Sequence, residues 1–167
     1  MAEKTEYKSK LDEIEELIAH GRSDEGLMML EAMNFRKVKN VNTILKAADI
    51  LDRAKLYNEE HELLSIAHER SPIGRMIIFK LASCEVALND LDSAEAHYEE
   101  FTKIAPHDDM KYILRYRINK ARGADDNTLI GILEELKSRD FTEEWAYELA
   151  RLYHRTGQAD ECIDICD

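Results

Sequence analysis

The stretch RMIIFKLASCEVALNDLDSAEAHYEEFTKIAP, residues Arg75–Pro106, decides the fold. Two helix-forming runs are broken only around Asn89-Asp90 and closed by a proline, which cannot continue a helix. Apolar residues recur at three and four positions in both runs, the period of helices with one buried face. The closing dipeptide Ala105-Pro106 lies 34 residues after another, Ser71-Pro72. The same step of 34 from Asn89 reaches Lys55 and Gly21 backwards, then Gly123 and Gly157 forwards. Three of those five residues are glycine and one is asparagine, the types that most readily take the left-handed backbone that ends a helix. A period of this length marks stacked helix pairs.

With position 1 set at Tyr7, Val41, Arg75, Asp109 and Glu143, the chain divides into units of about 7–40, 41–74, 75–108, 109–142 and a truncated 143–167. The expected fold class is all-α, an α-α superhelix of antiparallel helix pairs in one domain over residues 1–167. Position 8 reads Ile14, Ala48, Ala82, Tyr116 and Ala150, and position 20 reads Gly26, Glu60, Ala94, Thr128 and Cys162. Small residues predominate at both, as close helix packing requires, and the large Ile14 is matched by Gly26. Ala82 and Ala94 are expected to face each other within the third unit. In residues 109–142 the apolar set Leu129, Ile130, Leu133 and Leu136 fits better if the second helix is slipped by one residue. The last unit stops within its second helix with Cys162, Ile163 and Cys166 on one face, so the chain is expected to be the N-terminal part of a longer protein.

At this point the residues resemble the tetratricopeptide repeat family. In residues 75–106, Leu81-Ala82, Asn89, Ala94, Tyr98 and Pro106 fall at that family's usual intervals, and Leu149-Ala150, Tyr153 and Gly157 do the same in the last unit. Cys162 stands there in place of the usual small alanine. The first unit departs at Glu13 and Val38, and the fourth at Arg115, Asn119, Glu135 and Asp140. The resemblance implies a tetratricopeptide-like solenoid that holds a protein or peptide partner.

Composition points the same way. Two prolines and six glycines in 167 residues leave long helix-compatible runs, and the formal charge of −12 disfavours nucleic-acid partners. No apolar run approaches the length that spans a bilayer, no signal-like segment opens the chain, and a cytoplasmic location is expected. Cys162 and Cys166, four apart on one helix, could present two thiolates to a metal, but they occupy packing positions 20 and 24 and lack further ligands nearby in sequence. The six histidines form no i,i+4 pair and no triad ordering. No catalytic residue, cofactor or metal is expected.

In the family, first helices line a concave surface that usually holds the ligand. Position 5 of these helices carries Leu11, Leu45, Phe79, Ile113 and Tyr147, an apolar row that either packs neighbouring helices or meets a partner. The lysine and asparagine clamp by which many members grip chaperone tails is not assembled, because its positions hold Leu11, Glu15, Asn42, Lys46, Met76 and Lys80. Positions 9, 12 and 13 give Glu15, Asp49, Asp52 and Arg53 toward the N-terminus, but Arg117, Lys120, Arg151, His154 and Arg155 toward the C-terminus. Such a basic cluster in an acidic protein suits an acidic or carboxylate-bearing segment, with Tyr147 and Ile113 supplying apolar contact. Pairing of these cations with neighbouring Asp and Glu is the competing expectation. The rival function is a structural or oligomerisation segment of a larger multidomain protein.

Overall fold

The computed structural model describes residues 2–139 and 142–166, with the side chains of residues 2–6, 159, 163, 164 and 166 excepted. These residues form ten helices and no strand: α1 Ala2–Ala19, α2 Ser23–Glu31, α3 Val41–Arg53, α4 Tyr57–Arg70, α5 Arg75–Ala87, α6 Leu91–Ile104, α7 Met110–Ala121, α8 Asp126–Lys137, α9 Glu143–Thr156 and α10 Ala159–Cys166. They divide into two compact units, residues 1–88 and 89–167. The boundary falls at the turn of the third repeat.

The five residues picked out by the period of 34 share one backbone state. Gly21, Lys55, Asn89, Gly123 and Gly157 have φ between 59° and 77°, and no other described residue has positive φ. At four of these turns the next amide reaches back five residues: Arg22 to Leu17, Leu56 to Leu51, Ala124 to Asn119 and Gln158 to Tyr153. The left-handed residue thus lets the final turn satisfy its orphan carbonyls before the chain reverses.

In the first unit the core lies between paired helices. Leu11, Ile14, Ile44, Leu51 and Leu64 are fully buried, and Ala47, Ala48 and Ala67 let the backbones approach. Gly26 shows how tightly α1 and α2 pack: a Cβ there would stand 2.9 Å from Ile18 Cγ1 and 3.5 Å from the Ile14 carbonyl. The compensation read at Ile14 is therefore taken up mainly by Ile18, one turn along α1. After the short α2, the loop buries Met33, Phe35 and Val38 in the same core. Arg70 of α4 fixes that loop by donating to the carbonyls of Phe35 and Arg36 at 3.1 and 2.7 Å.

Position 20 of the second repeat breaks the small-residue rule. Glu60 sits there with 3% of its surface exposed, and its Oε2 has no hydrogen-bond partner. Burial, then the nearby charge of Asp52, push its carboxyl up to about 7, opposed by a hydrogen bond from Cys84 and by Lys80. Burial and Glu60 in turn push the Cys84 thiol up, and that thiol also reaches the Tyr57 carbonyl at 3.2 Å.

The second unit is built around Tyr116, Leu133, Leu136, Leu149, Leu152 and Tyr153, all buried. Its departure from the period is local. Helices α2, α4, α6 and α10 each begin two residues after the left-handed residue, whereas α8 begins three after Gly123. The extra residue brings Asp125 to the N-cap, where it accepts from the Thr128 amide at 3.0 Å and from its hydroxyl at 2.8 Å. Thr128 is consequently exposed, while Leu129, Ile130 and Leu133 turn inward. The polar residues of this repeat stay at the edge: Arg115 is half-buried and meets Glu135 at 3.3 Å. Ala82 and Ala94 are both completely buried. Cys162 is half-buried beside the Ala150 carbonyl at 3.5 Å, whereas the Cys166 side chain lies outside the described residues.

Candidate partner-binding site

Helix α9 separates its residues cleanly. Trp145, Leu149, Leu152 and Tyr153 face the core, while Tyr147, Arg151, His154 and Arg155 form an exposed stripe at i, i+4, i+7 and i+8. Tyr147 is 74% exposed. The other members of the apolar row behave differently: Leu11 is buried, and Leu45, Phe79 and Ile113 are half-buried. Packing therefore accounts for most of the row, and Tyr147 is the member that faces solvent.

Beside this stripe runs α7. Its Tyr116 packs edge-on against Trp145, with ring centroids 5.5 Å apart, which sets α7 against α9. Glu148 then gathers three donors on one oxygen: the Tyr116 hydroxyl, the Lys120 ammonium at 2.6 Å and the Arg151 guanidinium at 2.9 Å. Burial opposes ionisation of Glu148, but the bonds from Lys120 and Tyr116 outweigh it and hold the carboxyl below the usual range. Burial and the Glu148 carboxylate push the Tyr116 phenol up.

The basic residues expected to converge do so in part, and with carboxylates among them. Lys120 and Arg151 meet at Glu148, whereas Arg155 leans to α8 and pairs with Asp126 at 2.8 Å. Arg117 is half-buried on α7, and His154 is exposed on α9. The cluster is thus partly neutralised by its own chain. Position 12 of the fourth repeat, Lys120, meets position 9 of the fifth, Arg151, across Glu148.

In the first unit, the N-terminal counterparts are likewise tied between first helices. Lys46 meets Asp12, Arg53 meets Glu15 at 2.6 Å and Lys80 meets Asp49 at 2.6 Å. A cleft of about 230 Å³ lies there between α1 and α3, lined by Lys8, Leu11, Asn40, Asn42, Thr43 and Lys46. Glu148 and Tyr116 do not stand out as site residues in the sequence. The signal available is a glutamate three residues before Arg151 on the same helix, a spacing that places the two side chains together.

No family model matches the chain, and no curated protein matches it in sequence. Solved structures do match in fold. A tetratricopeptide repeat protein from Parabacteroides merdae aligns with TM-score 0.71 at 14% identity, over 95% of this chain and 62% of that one. The fold is that of tetratricopeptide repeat proteins. A thermophilic member from Thermus thermophilus aligns with TM-score 0.68 at 19% identity, covering 95% of this chain and 87% of the other. A double mutant of MamA RS-1 aligns with TM-score 0.65 at 12% identity, over 95% of this chain and 89% of that one. The present chain spans less than two thirds of the Parabacteroides protein. No helix among the described residues is long and apolar enough to cross a membrane.

Proposed function

We propose that this chain is a protein-interaction module without catalysis of its own, and that the face shared by α7 and α9 holds an acidic or carboxylate-bearing segment of a protein partner. The observation that carries this is Tyr147: a large aromatic, 74% exposed, standing one helical turn before Arg151 on the same stripe. Tyrosine offers broad apolar contact at low entropic cost together with a polar tip. Arginine beside it supplies planar donors for a carboxylate. Existing ion pairs do not close the face. Arg151 and Arg155 remain 46% and 55% exposed, so their guanidinium groups keep donors that a partner carboxylate can share.

Selection from a displayed random dodecapeptide library tests the proposal. Enriched sequences should carry Asp or Glu beside apolar residues, bind less well as salt rises, and lose affinity with Tyr147→Ala. No enrichment, or enrichment of basic sequences, would overturn it.

A further inference from the structure

We propose that Tyr116, Lys120 and Arg151 form a seat for one carboxylate, that Glu148 fills it from within the chain, and that Glu148 thereby determines which partner groups the α7–α9 face accepts. Only the last clause rests on the partner-binding reading above. A surface carboxylate is commonly met by one cation. Here three donors from two helices converge on the single oxygen Oε1 of Glu148, whose side chain is only 15% exposed.

The donors differ in freedom. Tyr116 is 2% exposed and held by the edge of Trp145, so its hydroxyl stays where it is. Lys120 and Arg151 are about half exposed, at 48% and 46%, and keep further donors for groups arriving from solvent. Whatever takes the seat in place of Glu148 must accept from a buried phenol and balance two cations at once. A carboxylate does both. An amide carbonyl accepts but leaves the charges uncompensated, and a basic side chain does neither. The seat therefore selects for Asp, Glu or a chain-terminal carboxylate, and Glu148 sets the threshold by competing for it.

Glu148→Ala empties the seat and leaves its donors in place. At neutral pH and equal ionic strength, sodium acetate should raise the thermal midpoint of this variant over sodium chloride, saturably and by about 4 °C or more. The wild type, whose seat is filled, and the double variant Glu148→Ala with Lys120→Met should show no acetate-specific rise. Equal midpoints in acetate and chloride for Glu148→Ala would overturn the proposal. Should that variant not fold, Glu148→Ser also vacates the seat, and acetate titration is followed through the NMR signals of the Lys120 ammonium and the Arg151 guanidinium. A saturable shift absent from the wild type supports the seat, and unchanged signals remove it. Acetate involves no partner protein. Acetate rescue with a failed peptide selection would thus strike the partner-binding reading alone, and the reverse result would strike the seat alone.

Discussion

Lys55 is the one of the five helix-ending residues with a long side chain, held at φ 59° where an L-residue crowds its own carbonyl. Glycine relieves that crowding at some cost in unfolded-state entropy, so Lys55→Gly should stabilise the first unit by about 0.5–1 kcal/mol in denaturant unfolding. The converse holds at Gly123, where an added Cβ would meet nothing within 4 Å. Gly123→Ala should cost about 1 kcal/mol through backbone alone. Equal effects at both sites would mean that the left-handed state is not what the 34-residue period encodes. Glu60 poses a different problem, a carboxylate at a position built for a small residue. Its carboxyl lies at about 7 in the fold against an ordinary value of 4.5. A folded value raised above the unfolded one means that the contribution is fully present below about 4.5 and is lost as pH rises through about 7. The first unit should therefore gain on the order of 2 kcal/mol between pH 8 and pH 5, and Glu60→Gln should flatten that slope. An unchanged slope in the Gln variant would assign the pH dependence to other groups.

Among the elements, α8 separates what a repeat pattern can encode from what local chemistry adds. The period places the turns because a left-handed residue is a backbone requirement that few residue types meet, and all five positions obey it. It does not fix how many residues follow before the next helix starts. In the fourth repeat Asp125 caps α8 one residue late, and every side chain of α8 rotates accordingly. The apolar set at Leu129, Ile130 and Leu133 makes that slip legible from sequence. Burial at 5% for Leu129 against exposure of Thr128 gives it a direct test. Leu129→Ala should cost about 2–4 kcal/mol and Thr128→Ala less than about 0.5 kcal/mol, the reverse of what the unslipped register requires. The candidate site is less legible. Arg151, Lys120 and Tyr147 stand out because cations and an aromatic fall on the expected helix face. Glu148 does not, because in an acidic protein one more glutamate carries no signal until its three donors are seen. Glu134 illustrates the same limit: an exposed carboxylate on the second helix of its repeat, it nevertheless accepts from the buried Tyr153 hydroxyl at 2.5 Å.

For the whole molecule, a formal charge of −12 means that any acidic partner approaches against the average field, so the proposed binding requires a local face that overrides it. Lys120 and Arg151 shared over a single Glu148 provide that excess, next to the exposed Tyr147. Reversing one of these charges should matter far more than reversing a charge elsewhere. Lys137, exposed at the end of α8, is the matched control, because its replacement by glutamate changes the net charge by the same amount. The decisive measurement is the affinity of an enriched acidic peptide for the wild type, Arg151→Glu and Lys137→Glu at one fixed salt concentration. The expected result is a loss of about tenfold or more for Arg151→Glu, equivalent to about 1.4 kcal/mol, with Lys137→Glu within about twofold of the wild type. Equal losses for the two variants would show that only net charge is sensed, and would contradict a binding face on α7 and α9.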